Sequence, residues 1–157
     1  MTRADFVKRG GLWVVAQIPL MLTALILPVW FGAGSLLPQH PVSIAGAAIT
    51  AAGAWLVVWG LICLGDALTP FPGPLAHSTL QRQGAYRWMR HPIYAGVMLA
   101  SFGWALWWLS AIGVSCAILL ALFFDRKAAF EEARLREQYP DYPDYARAVK
   151  KFIPGIY

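Results

Sequence analysis

Two stretches of this chain contain no Asp, Glu, Lys or Arg at all: residues 10–65 and residues 91–124. That gap constrains the fold more than any motif does. A charge near the middle of a bilayer costs about 3 kcal/mol, so long charge-free stretches are what hydrocarbon accepts. The charged residues fall instead into three short zones. The first holds Arg3, Asp5, Lys8 and Arg9, the second Asp66, Arg82, Arg87 and Arg90, and the third runs from Asp125 to Lys151. Charged residues make up 13% of the 157, against about 25% in an ordinary soluble protein. With a net charge of +5, so apolar a chain points to a membrane surface before nucleic acid.

A spanning helix needs about 20 apolar residues. The first block holds two such segments, 12–31 and 42–64, broken by Gly32, Gly34, Pro38 and Pro41. Pro19 and Pro28 predict a kink in the first. In the second, Gly46, Ala47, Ala48, Ala51, Ala52, Gly53 and Ala54 form a small-residue run suited to close helix packing. The block 91–124 reads as a tight hairpin, 93–109 and 112–124, with Ser110 and Gly113 at the bend. Trp104, Trp107 and Trp108 precede that bend, and tryptophan favours the membrane interface. From Asp125 to Gln138 no Gly or Pro interrupts, so the second arm is expected to continue unbroken into water until Pro140 and Pro143.

The expected fold is therefore an all-α integral membrane protein of about four transmembrane helices, with the last two forming a tight hairpin. It is a single domain over residues 1–157, with a cytosolic loop at 65–92 and a cytosolic C-terminal segment at 125–157. All thirteen Lys and Arg then lie on one side, which the positive-inside rule places in the cytoplasm together with both termini. The N-terminal apolar segment is too long for a cleaved leader and shows no small-residue cleavage site, so it reads as a retained span. Length and composition fit a bacterial inner membrane. Cys63 and Cys116 lie inside apolar segments and read as buried thiols, and no metal site is expected.

The second charge zone ends in Arg87-Trp-Met-Arg90-His91-Pro92. Pro92 suits the first position of a helix, where a missing N–H costs nothing. The amides of Ile93, Tyr94 and Ala95 would then be free, and beside Arg90 and His91 they form a candidate anion site. On the last helix, Lys127, Glu131 and Arg134 share a face, with Glu132 adjacent. A tight hairpin makes these two charged groups neighbours, predicting a polar cleft at the membrane edge. Arginine at a span end also serves simply as a topology signal, and a helical charge run is usually a solvated face.

The ordered pattern Gly84, Tyr86, Arg90, His91, Pro92, Tyr94, Gly96, then Glu131, Glu132 and Leu135, then Tyr142, Tyr145, Val149 and Pro154 resembles the isoprenylcysteine carboxyl methyltransferase family, which shades into the phospholipid methyltransferases. The resemblance covers residues 69–154. It departs where Lys127 replaces an arginine usual four residues before the first Glu, and where Pro140 and a shortened gap replace the usual Phe-Gly-x-x-Tyr.

The resemblance implies S-adenosyl-L-methionine as methyl donor. It implies a donor pocket lined by Ser78, Thr79, Leu80, Gln81, Tyr86, His91, Pro92, Ile93, Tyr94 and Glu132. Arg90 or Lys127 would hold an anionic acceptor, and Glu131 would act as base toward an amine. The acceptor would be a membrane lipid or a lipidated small molecule, with no nucleic acid partner. Two other classes stay open. An NADPH-dependent membrane sterol-type reductase would need a site for the 2′-phosphate and usually more spans. A non-catalytic small membrane protein would bind no cofactor.

Overall fold

A computed structural model describes Phe6, residues 10–65 and residues 79–157. The described chain is helical: α1 Gly11–Phe31, α2 Pro41–Leu64, α3 Pro92–Trp107, α4 Ala111–Gln138 and α5 Tyr142–Ala148, with a turn of 3-10 helix at Gly84–Arg87. No strand occurs among the described residues, only a parallel bridge between Met89 and Lys150.

α1 and α2 are long and apolar enough to cross a membrane, and α3 is a shorter apolar helix. In α1 and α2 only 11% of the most apolar window is buried, whereas a soluble core helix would bury most of it. Leu22, Leu25, Trp55, Val58 and Ile62 are all exposed, the pattern of side chains that face lipid. Pro28 is fully buried within α1. Near that proline, where the helix ladder is weakened, Trp104 Nε1 donates to Leu25 O at 2.8 Å. Trp107 Nε1 reaches Ser35 O at 3.1 Å. These tryptophans therefore fasten the hairpin to α1 and its following loop, a role beyond the interfacial one their composition suggested.

α2 and α3 pack through glycines spaced seven apart, Gly46, Gly53 and Gly60 on one helix and Gly96 and Gly103 on the other. A Cβ on Gly53 would lie 2.4 Å from Ala100 N, and one on Gly103 would lie 2.5 Å from Thr50 N. Backbone meets backbone, as in small-residue packing of membrane helices, where dispersion rather than water exclusion drives association. The seven-residue repeat keeps the seam aligned along both helices.

The hairpin bend occupies residues 108–110. Leu109 takes a left-handed conformation (φ 50°). Ser110 N bonds back to Ala105 O at 2.9 Å, and Ser110 Oγ accepts from Gly113 N at 3.1 Å. These bonds close the turn at once, so α3 ends at Trp107, two residues earlier than expected. At about 1.5 Å per residue the 16 residues of α3 span about 24 Å. α4 runs unbroken for 28 residues, about 42 Å, from its apolar half through the charged segment.

Substituting Gly53→Leu should separate α2 from α3, because overpacking costs about 1–3 kcal/mol. Thermal unfolding in detergent, followed by circular dichroism, should show a midpoint lower by about 5 °C. Ala51→Leu, on the exposed side of α2, should leave the midpoint in place. Equal shifts for the two would show that the glycine seam does not set stability.

Candidate active site

The polar residues of the second and third charge zones meet at one end of α3 and α4. Glu132, only 5% exposed, is the centre. Its Oε1 accepts from Arg90 Nε at 2.8 Å and lies 3.1 Å from His91 Nε2. Its Oε2 lies 3.5 Å from Arg136 Nη2. Burial alone would push the Glu132 carboxyl up. The hydrogen bonds and charges of His91 and Arg90 overcome that and hold it down at about 2. Arg90 is also committed elsewhere: its Nη1 donates to Ala146 O at 3.0 Å and to Val149 O. Its guanidinium thus joins α4 to the end of α5, which leaves it poorly placed to receive an acceptor.

The backbone completes that join. Arg90 N bonds Lys150 O at 2.8 Å and His91 N bonds Lys151 O at 3.1 Å. Tyr145 OH donates to Tyr86 O at 2.6 Å. Lys151 Nζ donates to Asp125 Oδ1 at 2.5 Å, and Tyr157 OH reaches the same oxygen at 2.9 Å. Sequence reasoning assigned no site role to Tyr142, Tyr145, Asp125 or Lys151. The Tyr142-x-x-Tyr145 spacing was the signal available. Both rings are buried, and Tyr142 OH has no hydrogen-bond partner among the described residues.

Glu131 lies on the other side of the same helix turn. Tyr94 OH donates to its Oε2 at 2.9 Å, and His91 Nδ1 is 3.9 Å away. Its side chain is 26% exposed. Among the described residues no Lys or Arg comes within ion-pair distance of it, so the His91 ring, at the edge of that range, is its nearest basic group. The Tyr94 ring stacks on His91 at 5.5 Å and on Phe124 at 4.8 Å. Burial, and next the charge of Glu131, pushes the Tyr86 phenol well up. Tyr86 is therefore a neutral hydroxyl.

The other expected site residues are placed as follows. Ser78 lies outside the described residues. Thr79 is exposed and Leu80 half-buried. Gln81 donates from Nε2 to Cys63 O, which ties the loop to the end of α2. Pro92 is fully buried, and with Ile93 it packs on Gly60 of α2. Ala95 N, expected from sequence to be free, instead bonds His91 O at 3.0 Å, because the helix ladder begins one residue before Pro92. Lys127, Glu131 and Arg134 do not act as one group. Arg134 lies over the Phe130 ring at 4.2 Å, while Lys127 turns toward α1.

A phospholipid methyltransferase family model matches residues 42–142. The chain belongs to this family. Protein-S-isoprenylcysteine O-methyltransferase B of Arabidopsis thaliana is 30% identical over 82 residues, which are 51% of this chain and 42% of that protein. Protein-S-isoprenylcysteine O-methyltransferase A of the same plant is 31% identical over 82 residues, with the same coverage. The match thus spans less than half the length of each curated relative. The family region contains the whole Arg90–His91–Glu132 and Tyr94–Glu131 arrangement, whereas α1 and residues after 142 lie outside it.

The donor set suits the methyl donor that such a family implies. A partly exposed carboxylate beside an aromatic face complements a positive centre, and that pair is present in Glu131 and Tyr94.

The depressed Glu132 carboxyl makes the arrangement acid-sensitive. Its folded value, about 2, lies below the ordinary 4.5. The stability it contributes is therefore complete above about pH 5 and is lost as pH falls toward 2. Unfolding midpoints measured from pH 7 to pH 3 should fall for the parent protein. In Glu132→Gln that fall should be smaller, from a lower starting midpoint. Parallel curves would place the acid sensitivity elsewhere.

Proposed function

We propose that this chain is a single-domain, multi-pass membrane methyltransferase that transfers a methyl group from S-adenosyl-L-methionine to a lipid-like acceptor at the cytosolic interface. The observation that carries this reading is Glu131. It is half-buried, has no Lys or Arg within ion-pair distance among the described residues, is held by Tyr94, and is set beside a buried Arg90–His91–Glu132 node in a chain of the phospholipid methyltransferase family. Four crossings are supported by α1, α2, α3 and the apolar half of α4. At about 24 Å, α3 is shorter than the ~30 Å hydrocarbon core, so the bilayer thins or the bend stays submerged. With four crossings every Lys and Arg falls on one face, which the positive-inside rule makes cytosolic.

When bound, S-adenosyl-L-methionine supplies a methyl group on a positively charged sulfur. Glu131 and the Tyr94 ring would face that positive end, and the start of α3 at Ile93 would take a carboxylate. His91, locked by Glu132, holds the Tyr94 ring in place by stacking. Arg90 acts as a positioning residue, because its guanidinium fastens α4 and the 146–149 segment to the loop. Lys127 is then the cation left to meet an anionic part of the acceptor. Toward an amine acceptor Glu131 would also take the proton, a contribution of roughly 10²–10⁴-fold. Alignment and exclusion of water supply the rest.

Isothermal titration of the detergent-purified protein should detect S-adenosylhomocysteine binding and no NADPH binding. The reverse result would favour a reductase, and binding of neither would remove the enzyme reading. Glu131→Gln should lower methyl transfer at least about 100-fold while leaving the helical signal intact. Undiminished transfer would make Glu131 structural.

A further inference from the structure

Lys127 is 3% exposed and sits in the seam between α1 and α4, three residues past the charge-free stretch 91–124. Its Nζ donates to Gln17 Oε1 at 2.5 Å. The same ammonium lies 5.1 Å from the Tyr94 ring centroid and 6.0 Å from that of Phe124. Glu131, one helical turn further along, is the nearby carboxylate. An ammonium has three donors and no acceptor. Among the described residues Gln17 is the one hydrogen-bond acceptor Lys127 uses. A buried cation held by a neutral amide, with donors to spare, is costly unless it serves a ligand.

Gln17 is the partner on which this arrangement turns. It belongs to α1, outside the region the family model matches, and is the only amide in that helix. A lysine presents a mobile point charge where an arginine would present a rigid fork. Gln17 restores direction, because fixing one N–H fixes the cone in which the other two point. Burial disfavours the charged form of Lys127, while Glu131 acts in the opposite sense. The neutral amide adds a partner without cancelling the charge, as a carboxylate would.

We infer that Gln17 is a positioning residue that holds the Lys127 ammonium beside Tyr94 as a fixed positive pole, so that the site selects acceptors carrying a carboxylate or phosphodiester. This inference rests on the methyltransferase reading above. The anion approaches along the α1–α4 seam, and its charge is met by Lys127 while the positive donor faces Glu131 across the Tyr94 ring. The two poles lie on opposite parts of one aromatic side chain, at its face and at its hydroxyl.

The test uses the full-length protein in mixed micelles with N-acetyl-farnesylcysteine, a carboxylate, and phosphatidylethanolamine, a phosphodiester, as alternative acceptors. Gln17→Met keeps the length of the side chain and removes the amide. KM for whichever acceptor is turned over should rise about tenfold, the loss falling on KM rather than kcat. S-adenosylhomocysteine affinity should stay within about twofold. Gln17→Glu, which neutralises the ammonium, should raise KM further. In a Lys127→Met background, Gln17→Met should have no added effect. An unchanged KM in Gln17→Met, or full additivity of the two substitutions, would overturn the inference. If the parent protein binds no S-adenosylhomocysteine, the methyltransferase reading fails and the inference goes with it. Retained binding with unchanged KM would sink the inference alone.

Discussion

Glu132 anchors the polar end of the molecule. A carboxylate this buried would be costly if left alone, and breaking such a pair by removing one partner typically costs about 3–5 kcal/mol. Here one oxygen holds both Arg90 and His91, so a single side chain on α4 fixes the segment that begins α3. Arg90 then extends the reach of that contact to the carbonyls of Ala146 and Val149. Because backbone bonds from Arg90 and His91 join Lys150 and Lys151, three segments distant in sequence depend on one carboxylate. The Lys151–Asp125 pair and Tyr157 return the tail to α4, closing the circuit.

The apolar part obeys a different rule. Between helices in lipid there is little hydrophobic driving force, so contact must come from close approach and from hydrogen bonds that no water competes for. The α2–α3 glycine seam provides the first and the Trp104 bond to Leu25 O the second. α1 and α4 lack such a glycine seam; their polar link is Lys127 to Gln17. Apolar packing holds the same pair, with Trp13 on Phe123 and Phe130 and Ala24 against Leu120 and Phe124, so a ligand could compete for the cation without parting the helices, an opening the α2–α3 seam does not offer.

Much of the fold was legible because its signals are local. Charge-free blocks, Gly and Pro breaks, Pro92 at a helix start and an uninterrupted run from Asp125 to Gln138 each predict an element from its own residues. The nearness of Arg90 and His91 to the Glu pair followed from a short hairpin. The division of labour within that pair did not follow. Glu131 and Glu132 are adjacent, so they point about 100° apart on a helix, and only packing decides which meets Arg90 and which meets Tyr94. The docking of residues 149–152 along 89–91 leaves no periodic trace either. Its bonds are made by backbone groups, which every residue carries. Gln17 was visible as a polar residue in a charge-free block, but its partner lies 110 positions away.

The cations near the site divide in a way that bears on its chemistry. Arg90 and Arg136 are both drawn to Glu132, Lys151 to Asp125 and Arg82 to Asp141. Each is balanced by a carboxylate. Among the described residues Lys127 has no carboxylate, and Glu131 no Lys or Arg, within ion-pair distance, and Tyr94 stands between them, its ring facing one and its hydroxyl the other. Had they been allowed to meet, they would have formed an ordinary helical i,i+4 ion pair. Gln17 draws the ammonium toward α1 and Tyr94 occupies one carboxylate oxygen, so both charges stay available. Keeping two opposite charges apart inside a low-dielectric site stores interaction energy that only a ligand of matching polarity can recover. That separation is what the proposed alignment of a positively charged donor with a negatively charged acceptor would require.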